Sequence, residues 1–149
     1  MEKVYQRIVV AVDSSNEAAY AFETALGIAK RNKGAVLHIV HVIDTNVMTT
    51  VSSSLEQTSL ERAQQEAQNL VDRFVRQAED FGLLYIRPVI EIASPRSFIP
   101  KEFAEAVRAD LIICGATGKS GLRRMLMGSV SEAIVRSATC DVLIIRTPQ

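Results

Sequence analysis

Apolar positions along the chain follow two rhythms. RIVVAVD (7–13), AVLHIVHVI (35–43), YIRPVIEI (85–92), DLIICG (110–115) and DVLIIRT (141–147) are short, continuous and largely β-branched, the pattern of strands buried on both faces. Between them the spacing changes to three and four. SSNEAAYAFETALGIAKRNKG (14–34) predicts an amphipathic helix, with Ser14 and Glu17 at capping-box spacing and Gly34 suited to its end. A second helix, roughly 55–81, carries Leu60, Ala63, Ala67, Leu70, Val71, Phe74 and Ala78 at helical spacing and stops at Gly82. The polar, Ser/Thr-rich stretch 44–59 ahead of it reads as a loop leading into that helix. A third helix ends near Arg108, and SVSEAIVRSA (129–138) is the last.

Strands this apolar do not face water, and they alternate with helices from end to end. That predicts an α/β chain: one doubly wound, mostly parallel, Rossmann-like sheet of five strands with helices on both faces. Right-handed crossovers leave few strand orders. The order 3-2-1-4-5 sets the C-terminal ends of strands one and four side by side, where open α/β sheets bind ligands. Asp13 ends the first of these strands, and the glycine-rich GATGKSGLRRMLMGSVSE (115–132) follows the other.

Gly118-Lys119-Ser120 looks like the end of a Walker loop, but the first Walker glycine would fall on Ile113, inside an apolar strand. A different cradle remains. Gly115 ends a strand, Gly118 follows it, and Gly128-Ser129 opens a helix. Glycine tolerates positive φ and lets a ligand approach the backbone. The unpaired first amides of a helix form an anion site, here those of Ser129, Val130 and Ser131, with the Ser129 and Ser131 hydroxyls beside them. Ser129 and Glu132 also have capping-box spacing, so Ser129 alone would serve as a cap, and plain turn punctuation is the competing account of the glycines.

Length and composition narrow the field further. A chain of 149 residues is read as one domain, 1–149, with a real core. Seventeen basic and seventeen acidic residues cancel, which argues against a sequence-independent nucleic-acid binder. No apolar stretch approaches the roughly 20 residues of a membrane span, and the N-terminus lacks a secretory layout. The cytoplasm is the expected compartment. Cys114 and Cys140 are too few for a disulfide framework or a metal cluster and read as strand-associated free thiols. His38 and His41 are three apart on a strand and point to opposite faces, which excludes a metal-ligand pair. Lys119, Arg123 and Arg124 would reach a phosphate or form a solvated basic stretch. Met125 and Met127 are expected to pack the loop down, although methionine also suits adaptable contact surfaces. A receiver-type phosphoacceptor is excluded: Asp13 is followed by serines, strand three ends Ile92-Ala93-Ser94, and no late-strand lysine follows Lys119.

With VVAVDSS, LHIVHVID, ADLIICGATGKSG and DVLIIR in place, the spacing G-x2-G-x9-G-S at Gly115, Gly118, Gly128 and Ser129 resembles the ATP-binding branch of the universal stress protein family, over essentially the whole chain. The resemblance implies an adenine nucleotide alpha hydrolase-like fold that holds ATP with Mg2+. It places Ala11 and Val12 in the base pocket, the Val42 backbone on adenine, and Asp13 near the ribose. It places Gly115 and Gly118 near the ribose and α-phosphate, and Gly128, Ser129, Val130 and Ser131 at the outer phosphates. It implies a cytoplasmic stress-response regulator with at most slow ATP hydrolysis, since no histidine or carboxylate stands out as a base at the outer phosphate. The alternatives are a dimeric interaction module with a vestigial pocket and a nucleotide-phosphate hydrolase or transferase. The last strand would be an edge apolar on both faces, an aggregation hazard, and the family covers it by homodimerisation, here through Asp141–Thr147. One departure is local. Where the family has Gly-x-Pro after strand three, this chain has Ala93-Ser94-Pro95, and Pro100 falls inside the next helix, which is expected to start late or bend near Ser97.

Overall fold

The structure is a computed structural model, and residues 3–45, 53–117 and 127–148 are described, the first five of the middle segment by backbone alone. The strands are β1 (Arg7–Ala11), β2 (Val36–Asp44), β3 (Ile86–Ala93), β4 (Leu111–Gly115) and β5 (Asp141–Ile145). The helices are α1 (Asn16–Arg31), α2 (Ser53–Phe81) and α4 (Ser129–Ser137). The remaining helical segment, α3, joins Pro95–Ser97, Phe98–Phe103 and Ala104–Ala106. Residues 46–52 of the expected Ser/Thr-rich loop lie outside the described residues.

All four strand pairings are parallel, and the order is β3-β2-β1-β4-β5. Side chains alternate across the sheet because successive residues of a strand point to opposite faces. Ile8, Val10, Leu111 and Ile113 meet Phe22 and Leu26 of α1 and Leu70 and Phe74 of α2 on one face. Val9, Ile112 and Cys114 meet Ile99 and Ala104 of α3 and Ile134 of α4 on the other. This double burial explains why the strands read as continuous apolar runs.

Three local details differ from the sequence reading. α1 is capped by Ser15 rather than Ser14: Ser15 Oγ accepts from Ala18 N–H at 3.1 Å, while Asp13 Oδ1 accepts from Ser15 N–H at 2.8 Å. α3 does not start late, since Ser94 precedes it with Pro95 in its first turn. It does deviate at Pro100, where Phe98–Phe103 form a π-helical turn. Proline lacks an amide hydrogen and its ring clashes with the carbonyl four residues back. A wider turn relieves both problems, and the Ala104 N–H bonds the Ile99 carbonyl five residues earlier. Finally, the expected last strand stops at Ile145, and Thr147 Oγ1 donates to Glu17 Oε1 at 3.0 Å, tying the C-terminal segment to the first turn of α1.

Candidate functional site

A cleft of about 340 Å³ opens over the C-terminal ends of the central strands. Ala11, Val12 and Asp13 enter it from the end of β1, with Val40, His41 and Val42 from β2 and Cys114 and Gly115 from β4. Pro95 and Ile99 of α3 contribute a further wall, so the π-helical turn at Pro100 bears on the cleft's shape. Gly128, Ser129, Val130 and Ser131 line it from the start of α4. The structure thus gathers the expected site residues around one opening, except Gly118, which lies outside the described residues, as do Lys119, Arg123, Arg124 and Met125. β2 and β4 flank β1 on opposite sides. The Val42 end and the α4 end are therefore the two extremities of the cleft, with Asp13 between them.

The start of α4 differs from the capping-box expectation. Its N-cap is Gly128, in extended backbone (φ −69°, ψ 165°), with no side-chain cap. Ser129 is the first helical residue, and Glu132 instead accepts from Arg136 Nη2 at 2.6 Å on the exposed side. The amides of the first turn have no partner within the helix. Those of Ser129, Val130 and Ser131 stand where an anion would meet them.

The Ser131 hydroxyl, expected beside a phosphate, has a structural task. It donates to the Ala116 carbonyl at 2.7 Å and also lies 3.0 Å from the Gly128 carbonyl. Ser131 is the buried polar residue among those described. The same Ala116 carbonyl accepts from Gly128 N–H at 2.7 Å, and Ala116 N–H donates to the Ile145 carbonyl at 2.8 Å. Ala116 thus pins both ends of the glycine loop to each other and to β5. Sequence reasoning missed this clasp because its key acceptor is a backbone group.

Gly115 has a reason of its own to be glycine. A Cβ there would sit 2.7 Å from Glu17 Cβ and 3.0 Å from the Glu17 carbonyl carbon, so α1 approaches β4 through the missing side chain. Neither Gly115 nor Gly128 uses positive φ; among the described glycines that conformation belongs to Gly34 and Gly82, the two helix stops. Gly115→Ala is therefore expected to lower stability by about 1–3 kcal/mol through overpacking, read from urea unfolding. An unchanged midpoint would contradict the close-packing account.

Cys114 lines the cleft but is a poor nucleophile. Burial pushes its thiol from the ordinary 9.0 up to about 12. The folded state thus keeps the proton that the unfolded chain loses near 9.0. Stability from this group is complete below that pH and declines as pH rises toward about 12. Urea midpoints measured below and above the window should fall with pH, and less steeply in Cys114→Ala. Equal slopes would contradict the assignment. Cys140 is half-buried, and burial raises its thiol too.

His38 and His41 do diverge. His38 packs edge-on against Phe103 with ring centroids 5.6 Å apart, and burial, then Arg87 and Arg7, lower its pKa. His41 turns to the cleft side, its Nδ1 2.8 Å from the Val12 carbonyl. A carbonyl only accepts, so this bond puts the proton on Nδ1.

Comparison with known proteins agrees with this architecture. The chain is 41% identical to a protein of Staphylococcus aureus (strain USA300) named as a universal stress protein, over 97% of this chain and 86% of that one. Among solved structures it resembles the universal stress protein UspA from Lactobacillus plantarum, with 28% identity, a TM-score of 0.83, and coverage of 97% of this chain and 100% of that one. It shares its fold with a universal stress protein solved in complex with cAMP, at 24% identity and a TM-score of 0.70, covering 98% of this chain and 100% of that one. The profile of the universal stress protein family matches residues 4–146, which include every element described above. On that match and the 41% identical relative, the chain belongs to the universal stress protein family.

Proposed function

We propose that this protein is a cytoplasmic, adenine-nucleotide-binding regulator of the stress response that holds ATP with Mg2+ and acts as a homodimer. The observation that carries the reading is the start of α4, a helix N-terminus with no side-chain cap opening into a cleft at the sheet's switch point. A phosphate chain would lie on the amides of Ser129 to Ser131, with the base at the Val42 end and Asp13 near the ribose. The cAMP complex of a neighbour with the same fold supports an adenine nucleotide as the ligand class. Among the described residues, no group of three or more His, Cys, Asp or Glu side chains is placed to hold a metal. Magnesium would thus travel with the triphosphate, whose charge it neutralises.

Hydrolysis would be slow. Asp13 follows β1 and its carboxylate accepts from Ser15 N–H, and the Ser131 hydroxyl is committed to Ala116. Nucleotide occupancy would then act as a signal rather than as fuel. No helix among the described residues is long and apolar enough to cross a membrane.

The dimer reading rests on β5. It is an edge strand whose Leu143 and Ile145 pack toward one core and Val142 and Ile144 toward the other, all four only partly buried. A second copy laid along that edge would cover it.

The test is direct because the chain has no Trp. Purified protein is examined for excess adenine absorbance, its mass is measured by sedimentation, and phosphate release from ATP is timed. The proposal expects bound nucleotide or saturable ATP binding, twice the monomer mass, and turnover far below one per second. A monomer that neither carries nor binds nucleotide would sink it, and turnover of several per second would make the protein an enzyme instead.

A further inference from the structure

In a parallel ladder, the N–H and C=O of every second residue point to the same neighbouring strand. β2 addresses β1 through Val40: their ladder closes with Val12 N–H donating to the Val40 carbonyl at 2.9 Å, with Ala11 opposite Val40. Two residues on, Val42 points the same way. The next rung would run from Val42 N–H to the Val12 carbonyl. That rung is not among the backbone bonds, and the Val12 carbonyl accepts from His41 Nδ1 at 2.8 Å. Beyond it, Asp13 Oδ1 accepts from Ser15 N–H at 2.8 Å as the chain enters α1. Val42, whose outward peptide groups would otherwise extend the sheet, lines the cleft.

We infer that His41 is a positioning residue: by drawing the Val12 carbonyl toward its ring it ends the β1–β2 ladder at the Val12–Val40 rung and leaves the Val42 N–H and C=O for the edge of a ligand. A donor and an acceptor side by side on one strand suit a planar heterocycle with an acceptor ring nitrogen beside an amino group, as adenine has. The ladder part stands on hydrogen bonds within the chain, and the ligand part rests on the nucleotide reading of the cleft. Side-chain patterns carry no sign of this role, because the partner of His41 is a backbone carbonyl 29 residues away, just past the end of β1.

The test combines amide hydrogen exchange by NMR with ATP titration, on the wild type, His41→Leu and His41→Asn. The Asn amide nitrogen occupies nearly the position of Nδ1 and donates as it does. In the wild type without nucleotide, the Val42 amide is expected to exchange quickly and to slow on adding ATP. In His41→Leu the missing rung forms, so the Val42 amide is slow without nucleotide and ATP affinity falls about tenfold, the cost of one well-placed hydrogen bond. His41→Asn restores both fast exchange and affinity. A Val42 amide that is slow in the unliganded wild type, or indifferent to His41→Leu, would overturn the inference. So would a Leu variant that binds ATP as tightly as the wild type. If Val42 exchange follows residue 41 but ATP perturbs none of the three proteins, the ladder part holds while the ligand part falls with the proposed function. Should His41→Leu fail to fold, the wild-type exchange rate and the Asn variant still decide the matter.

Discussion

Ser129→Pro is expected to weaken ATP binding about tenfold to a hundredfold while leaving the melting temperature of the unliganded protein nearly unchanged, because hydrogen bonds to a charged group contribute about 1.5–3 kcal/mol each. The substitution is aimed at one atom, the Ser129 amide hydrogen. Ser129 is the first residue of α4, where proline is well tolerated since that N–H has no partner in the helix. Gly128 before it has φ −69° and ψ 165°, the extended conformation that a following proline prefers. Folding should therefore not notice the change, and a phosphate on the helix N-terminus should. Ser129→Ala removes the hydroxyl and keeps the amide, which separates the two donors. If the Pro and Ala variants bind alike, the backbone amide is not part of the site.

The largest effect on stability is expected at Phe22. Its ring is fully buried between α1, α2 and the sheet, 4.6 Å from the Phe74 ring at an interplanar angle of 50°. Phe22→Ala removes the apolar contact and leaves a cavity among Leu26, Leu37 and Phe74, residues held by strand and helix backbones that cannot close in completely. The expected loss is about 3–5 kcal/mol, or a fall in melting temperature on the order of 10 °C for a chain of this size. Urea unfolding with an unchanged slope would assign the loss to the native core. A loss under about 1 kcal/mol would mean that the core relaxes around the gap, contrary to the packing described.

What was legible in the sequence is what repeats. Two-sided burial makes continuous strands such as Val9-Val10 and Ile112-Ile113, and chain order with right-handed crossovers is enough to bring Asp13 and Gly115 to the same end of the sheet. What was not legible depends on single non-periodic contacts. Ser14 looks like the cap because Glu17 stands three residues on, yet it is Ser15 Oγ that accepts from the Ala18 amide. Ser129 looks like a cap because it is a serine before a helix, yet the turn starts one residue earlier and leaves Gly128 in that position. Pro100 announced an irregularity, but no spacing rule distinguishes a late start from a π-helical turn. Gly115 read as an opening for a ligand, and the atoms its Cβ would strike belong to Glu17, nearly a hundred residues earlier in the chain. Ser131 and His41 bond backbone carbonyls on other segments, which side-chain patterns do not encode.

The claim that matters most is that the cleft between β1 and β4 holds an adenine nucleotide. A thermal melt of the purified protein with and without Mg-ATP tests it most directly, with Ser129→Pro run alongside. Ligand at a hundred times its dissociation constant adds about 2.7 kcal/mol to stability, a rise of roughly 5–10 °C here. The account predicts that rise in the wild type and a much smaller one in Ser129→Pro at the same ATP concentration. A wild-type melt unmoved by saturating Mg-ATP, in protein that carries no nucleotide from purification, would contradict it and leave the glycines as turns.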